Sequence, residues 1–211
     1  MGGVRYTGRM KILREIPFRF DESVFLRTAC LESLPEGVRA ARDLLAQAVP
    51  RVRPKAVYTV SYIRDRSDST VKLDGILFTS RLLARNLREV ERVFPYVATC
   101  GHELEDLQSS CSDLLARFWL DILKEMALTA AVEHLRAELK SGFGIRDLSS
   151  MNPGSGNTGL WPLAQQKPLF ELIGDVEASI GVRLTPSLLM LPNKSVSGIL
   201  FPTEVHFETC L

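Results

Sequence analysis

The sequence predicts an α+β fold in which a mostly antiparallel, twisted sheet packs against long helices. Segments rich in β-branched and aromatic residues come first, a long helical region occupies the middle, and a loop, a helix and two closely connected strands follow. Elements in this order, with helices and strands segregated along the chain, are typical of α+β domains.

Six segments have the composition of strands. Residues 11–16 form either an edge strand or a lead-in to the sheet, and the segment 71–78 contains Gly75 as a possible bulge. We expect one mixed or antiparallel sheet to contain the segments 56–63, 71–78, 93–99, 183–191 and 196–201.

Four helical regions are expected. Residues 35–49 have apolar residues at helical spacing, Ser80 is placed to cap a helix over 80–91, and Pro168 and Gly181 delimit a helix over 167–180. The region 101–140 is one bent helix or two helices in succession. Its apolar stripe, which should pack against the sheet, consists of Leu104, Leu107, Cys111, Leu114, Phe118, Ile122 and Met126.

Composition indicates a globular protein. Hydrophobic residues make up 45% and charged residues 24% of the 211 residues, so we expect a single domain over 1–211, with a helical region of uncertain attachment over 1–50. The net charge of +1 provides no bulk field that would attract nucleic acid or an acidic membrane surface. No apolar stretch approaches the roughly 20 residues of a membrane span. Because no secretory signal is recognisable either, a cytoplasmic location is predicted.

Motifs of catalysis and metal binding are not found in the sequence. Four cysteines without a CxxC pair and three scattered histidines lack the spacing of metal ligands. Cys30, Cys100 and Cys111 are expected to be reduced and mostly buried. His102 could titrate and Asp121 could act in catalysis, but a helix-cap position and a hydrogen bond between helices explain them as well. We therefore predict no catalytic and no metal-binding residue.

The most loop-like segment is SSMNPGSGNT at residues 149–158, which is rich in Gly, Asn and Ser. It lacks the lysine and the preceding strand of a phosphate-binding loop. Loops on rigid scaffolds often carry binding function, so this loop is the candidate site.

The last third of the chain contains a specific combination of motifs. They are NPG at 152–154, LWPLAQQKPLFELI from Leu160 and IGVRLTPSLLMLPNKSVSGILF from Ile180, with looser matches in YVATCGHELE from Tyr96 and LDILKEMA from Leu120. Together they resemble the activation (reactivation) domain of cobalamin-dependent methionine synthase, and most closely the free-standing relatives of that domain. The resemblance implies the fold of this domain.

It also implies an accessory function, the reactivation of a cobalamin-dependent methyltransferase. S-adenosylmethionine would bind to this protein, and cobalamin would be carried by the partner, a cobalamin-binding methyltransferase or corrinoid protein. A reduced donor such as flavodoxin or ferredoxin would supply one electron to cob(II)alamin, and the methyl group would pass to cobalt. Whether the protein is itself an enzyme stays open. One alternative is a non-catalytic module that binds a corrinoid protein and has lost the S-adenosylmethionine site; another is a protein unrelated to corrinoids.

The resemblance further implies which residues bind the ligand. They are Ser150, Asn152, Pro153, Gly154, Ser155 and Phe207. Glu204 and His206, near the end, become candidates if the unchanged protein binds the ligand tightly. Aligned with the family loop Arg-x-Ala/Ser-Pro-Gly-Tyr, Ser150 replaces the arginine and Ser155 the tyrosine. Serine cannot make the charge-assisted contact of that arginine with the ligand carboxylate. Free-standing relatives often continue into a cysteine-rich segment suited to an iron–sulfur cluster. Such a cluster normally needs four thiolates, so the single Cys210 cannot hold one.

The altered loop predicts weak binding of S-adenosylmethionine. Losing a charge-assisted pair and an aromatic contact removes a few kcal/mol, so we expect an affinity at least about a hundredfold below that of relatives with the full motif. In calorimetric titrations, the double change Ser150→Arg with Ser155→Tyr should recover part of the loss. Tight binding by the unchanged protein would contradict this prediction. No gain from the double change, with the fold intact, would favour the module that has lost the site.

Overall fold

Strand β6 (Arg92–Thr99) lies at the centre of an eight-stranded sheet in the computed structural model, which describes residues 10–155 and 160–203. One edge of β6 pairs with β2 (Lys55–Tyr58) and β3 (Ser61–Arg66), and the other edge pairs with β10 (Ser195–Pro202). β1 (Lys11–Leu13) lies outside β2, and β7 (Leu148–Met151) lies outside β10. All these pairs are antiparallel, which confirms the predicted fold class.

The strand predicted over 56–63 is interrupted opposite Pro95. The register is the same on both sides of the gap, since Tyr58 pairs with Tyr96 and Ser61 pairs with Val93. Proline has no N–H to donate, so the ladder loses a bond there, although the Thr59 N–H donates to the Pro95 carbonyl at 3.0 Å. Apart from this gap, the prediction is confirmed.

The segment 71–78 forms a hairpin, and the prediction of one bulged strand is wrong. β4 (Thr70–Leu73) pairs with β5 (Ile76–Thr79) across a turn in which Asp74 and Gly75 have φ angles of 44° and 102°. Two consecutive positive φ angles are typical of the type I′ turn, for which Asp-Gly is a preferred sequence. The dipeptide therefore reverses the chain.

The strand predicted over 183–191 is also wrong. Only its ends are extended, as β8 (Arg183–Leu184) and β9 (Met190–Leu191), and they pair with each other in a separate two-stranded sheet. Between them, the Thr185 N–H donates to the Leu189 carbonyl at 2.8 Å, and the Leu189 N–H donates to the Thr185 hydroxyl at 3.0 Å. These two bonds close a turn, so the segment cannot extend along the main sheet. The strand predicted over 196–201 is confirmed as β10.

The helices of the described residues are α1 (Glu22–Thr28), α2 (Pro35–Ala48), α3 (Arg81–Asn86), α4 (Glu105–Ser110), α5 (Leu114–Phe143), α6 (Gln166–Ile173) and α7 (Val176–Ile180). Ser80 caps α3 as predicted, since its hydroxyl accepts from the Leu83 N–H at 3.0 Å. The region 101–140 contains two helices because the Asp113 carboxylate caps α5, accepting from the Leu115 N–H at 2.9 Å. Gly174, with φ of 107°, likewise divides the predicted helix 167–180.

Three clusters of buried apolar side chains hold these elements together. One face of the sheet packs on α3, α6 and α7, and the opposite face packs on the C-terminal half of α5. In the third cluster, Phe25 of α1 and Leu45 of α2 pack against Leu123 in the N-terminal half of α5. This cluster attaches the described part of the N-terminal region, whereas the single-domain boundary stays a prediction. Over the described ranges, the structure contains no helix whose length and apolar character would let it cross a membrane.

The apolar stripe predicted for the long helical region is wrong in part. Leu114 is 77% exposed and Phe118 is 51% exposed, whereas Ile122 is buried. Residues between α4 and α5 are not helical, so the phase of the pattern is reset there. The fully buried apolar side chains of α5 recur every three or four residues, at Leu120, Leu123, Ala127, Ala131, Leu135 and Leu139.

The cysteines differ in their surroundings. Cys100 is buried, and burial raises the pKa of its thiol to about 12. Cys111 is half-buried and Cys30 is exposed, so the expectation of burial is wrong for Cys30. All three are free thiols.

The new phase of α5 predicts which leucines stabilise the protein. Leu123 is fully buried, so Leu123→Ala should lower the free energy of unfolding by about 2–5 kcal/mol. Leu115, on the same helix and 59% exposed, is the matched control, and Leu115→Ala should change stability by less than about 0.5 kcal/mol. Urea denaturation of the two variants measures the difference. Equal losses would contradict this phase of the helix.

Candidate functional site

The predicted binding loop begins as an edge strand. Residues 148–151 form β7, which pairs with β10, so the prediction of an irregular segment over 149–158 is wrong for its first three residues. Ser150 pairs with Leu200 and lies on the face of the sheet that packs against α5. Residues 152–155 are irregular as predicted, and 156–159 lie outside the described residues.

Arg136 of α5 lies beside Ser150. Its Nη2 donates to the Ser150 hydroxyl at 3.2 Å, and its Nη1 donates to the Leu148 carbonyl at 2.9 Å. Arginine has five N–H donors, so these bonds leave three without a partner among the described residues. A guanidinium group therefore stands next to the position where the family loop carries its arginine.

Asn152 connects the end of β7 to the centre of the sheet. Its Nδ2 donates to the Tyr96 hydroxyl and to the Ser197 carbonyl, both at 2.9 Å. Both amide hydrogens are thereby used, which leaves the amide oxygen to bind another group. A Cβ atom on Gly198 would lie 2.4 Å from Asn152 Nδ2, so a glycine is needed at this point of β10.

Tyr96 is held as a neutral phenol. Burial raises its pKa above the usual 10.0, and the hydrogen bond from Asn152 and the charge of Arg136 oppose this only in part. The stability that the buried phenol contributes is therefore complete below pH 10 and is lost as the pH rises through its folded-state pKa. At neutral pH the hydroxyl accepts from Asn152 and carries no charge.

Gly154 closes the turn that follows. It has φ of 79°, and its N–H donates to the Trp161 carbonyl at 2.9 Å. A Cβ atom here would lie 2.7 Å from Leu163 Cδ1, so glycine at this position allows the backbone to approach the Leu163 side chain closely. Pro153 is buried and Ser155 is exposed. Phe207, Glu204 and His206 lie outside the described residues.

Three buried polar atoms around this loop have no hydrogen-bond partner in the described structure. They are Trp161 Nε1, directly after the loop, Gln166 Oε1, at the start of α6, and Ser197 Oγ, on β10. Each such group costs about 1–3 kcal/mol, so native structures contain few of them. Trp161 belongs to the cluster that includes side chains of α3, α6 and α7, on the face of the sheet opposite Ser150 and Arg136.

The site offers a guanidinium, an amide oxygen and serine hydroxyls, which together suit a small polar ligand with a carboxylate. Within the described ranges, no group of three or more His, Cys, Asp or Glu side chains is arranged to hold a metal ion.

Comparison with known proteins locates the fold. No family model and no curated protein matches the sequence. Among solved structures, the crystal structure of the MetH reactivation domain bound to AdoHcy matches with a TM-score of 0.65, over 98% of this chain and 82% of that chain. This chain has the fold of a MetH reactivation domain. The sequence identity is 14%, so the match concerns the fold.

The resemblance seen in the last third of the sequence is thus confirmed as a likeness of fold over almost the whole chain. In this reactivation-domain fold, the sequence motifs did not indicate Arg136 or the role of Tyr96. Gly198 belongs to the motif that begins at Ile180, but its close approach to Asn152 was not predicted. Tyr96 stands in a looser family match, YVATCGHELE, which was the available signal. Arg136 lies on a helix among polar residues and carries no signal, because only the folded chain brings it to β7.

The contacts of Asn152 predict the effect of removing the Tyr96 hydroxyl. Tyr96→Phe leaves one amide hydrogen of Asn152 without its acceptor and should lower the free energy of unfolding by about 1–3 kcal/mol. Tyr62, which is 45% exposed, is the matched control, and Tyr62→Phe should be nearly neutral. Thermal and urea unfolding measure both. A neutral Tyr96→Phe would show that this bond does not hold the loop.

Proposed function

We propose that this protein reactivates a cobalamin-dependent methyltransferase of the methionine synthase type. The observation that carries the proposal is the fold match to a MetH reactivation domain whose structure contains AdoHcy. AdoHcy is the product that remains when S-adenosylmethionine gives up its methyl group. We infer that the present chain binds S-adenosylmethionine around residues 150–155 and docks on the cobalamin-carrying partner.

Arg136 supports ligand binding despite Ser150. The guanidinium that the family loop supplies from its own strand is supplied here by α5, within 3.2 Å of the Ser150 hydroxyl. Charge-assisted hydrogen bonds to a carboxylate are about twice as strong as neutral ones. Arg136 is therefore the residue that we assign to the carboxylate of S-adenosylmethionine, with the Asn152 amide oxygen available to a donor of the ligand.

The chemistry supplied by the small molecules is a methyl transfer from the sulfonium of S-adenosylmethionine to cobalt, after cob(II)alamin has taken up one electron from reduced flavodoxin or ferredoxin. The protein contributes binding and orientation. Tyr96 and Asn152 fix the end of β7, so the ligand groups held there keep their positions. We place this function in the cytoplasm.

Calorimetric titration with S-adenosylmethionine tests the assignment of Arg136. Arg136→Gln should weaken binding at least about tenfold, which corresponds to about 1.4 kcal/mol. Arg117→Gln, at an exposed arginine near the other end of α5, is the control and should leave the affinity unchanged. Equal affinities of the two variants would remove Arg136 from the site.

A pull-down with a cobalamin-loaded methyltransferase tests the partner. If the present protein captures that partner but does not bind S-adenosylmethionine, the alternative function is favoured, a non-catalytic module that has lost the ligand site. Failure of both binding and capture would contradict both functions.

The hydrogen bond between Arg136 and Ser150 also affects which substitutions should restore the family motif in the loop. Ser150→Arg would place a second guanidinium next to Arg136, and like charges at this distance repel. The change should therefore be combined with Arg136→Ser and Ser155→Tyr. This triple variant should bind S-adenosylmethionine more tightly than Ser150→Arg with Ser155→Tyr.

A further inference from the structure

A second region of the molecule concentrates positive charge. A cavity of about 420 Å³ lies between α3 and the turn that follows β3. Four arginines line it, Arg66, Arg81, Arg85 and Arg88, and the one carboxylate in its lining belongs to Asp68. The net charge of the whole chain is only +1, so the total conceals this local excess.

Three of the four arginines follow one side of α3 and its C-terminal turn. Arg81, Arg85 and Arg88 are separated by four and three residues, which is the spacing of neighbours on a helix surface. Like charges at this spacing repel one another. A bound anion would relieve that repulsion, because the guanidinium groups of Arg81 and Arg88 could then face a negative charge.

The walls of the cavity are held in place by contacts that do not involve a ligand. The Arg66 guanidinium donates to the carbonyls of Leu87, Arg88 and Val90 and to the Glu91 carboxylate, the last two at 3.1 Å. Arg66 is therefore a positioning residue that fixes the end of α3.

The opposite wall is also ordered. The Ser67 hydroxyl accepts from the Thr70 N–H at 3.1 Å and lies 2.7 Å from the Thr70 hydroxyl. Leu82, Leu83 and Leu87 anchor the arginine-bearing segment in the core. The backbone that carries the arginines therefore needs little rearrangement when an anion binds, which favours affinity.

We propose that this cavity binds a small ligand with at least two anionic groups of the phosphate type, such as a diphosphate. Its volume is within the roughly 300–1,000 Å³ of small-molecule sites. Guanidinium groups bind phosphate oxygens in pairs, a geometry that lysine does not provide. The site is concave, which suits a small anion better than the convex surface of an acidic protein. The inference is independent of the proposed function, since it uses other residues.

Calorimetry with inorganic pyrophosphate and orthophosphate tests the proposal. Pyrophosphate should bind more tightly than orthophosphate, and Arg81→Gln with Arg88→Gln should weaken pyrophosphate binding at least about tenfold. The matched control is Arg39→Gln with Arg117→Gln, which makes the same charge change at exposed positions outside the cavity lining. It should keep the affinity within about twofold.

Additional variants separate the geometry of the guanidinium groups from their charge. Arg81→Lys with Arg88→Lys keeps the charge and should recover only part of the affinity, because the bidentate geometry is lost. S-adenosylmethionine binding should be unchanged by the cavity variants, which distinguishes this site from the loop. Thermal unfolding checks that each variant is folded. If the double variant with glutamine does not fold, the single change Arg81→Gln is used instead and should also weaken pyrophosphate binding.

Three results would overturn the proposal. The first is the absence of pyrophosphate binding at millimolar concentration. The second is an equal loss in the control variant, which would indicate bulk charge only. The third is tighter binding of a polyglutamate peptide than of pyrophosphate, which would identify the cavity as part of a surface for an acidic protein.

Discussion

Burial of β6 on both faces is the constraint on which the rest of the structure depends. Val93 and Val97 lie in the cluster that includes side chains of α3, α6 and α7, whereas Phe94, Tyr96 and Ala98 lie in the cluster under α5. A slip of one residue would exchange these two sets, so the register of β6 is strongly determined. Tyr96 is thereby fixed, and its hydroxyl in turn holds Asn152 and the end of β7.

The sequence predicted those elements whose local pattern agrees with their tertiary surroundings. β6 is a nearly continuous apolar run because both of its faces are buried, and β10 has such a run in its second half. Both strands were predicted within one residue at each end. The segment 183–191 is equally apolar, yet Leu189 is 62% exposed because a turn interrupts the segment. The stripe of the long helical region failed for a related reason. Periodicity cannot detect three non-helical residues that reset its phase.

The sequence predicted the loop residues of the candidate site but not the residues that they contact. The family motif identified Ser150, Asn152 and Gly154, but their partners come from far along the chain, 14 residues away for Arg136 and 56 for Tyr96. An arginine acts through the position of its guanidinium in space. A motif that records positions in the chain therefore reports the loss of an arginine at Ser150, although the structure places the guanidinium of Arg136 from another helix beside it.

The positive charges of the two regions differ in their environment, and this decides how salt acts on each. Arg136 is half-buried beside the buried Tyr96, whereas Arg81 and Arg88 are exposed. Exposed charges are screened by salt over about 10 Å at 0.1 M ionic strength, and buried ones much less. One hydrogen bond links the helix of the cavity region to the strand of the loop region. Asn86 of α3 donates to Met151 Sδ at 3.3 Å, and Met151 lies between Ser150 and Asn152. Net charge alone describes neither region, because what matters is where each guanidinium lies and how much water surrounds it.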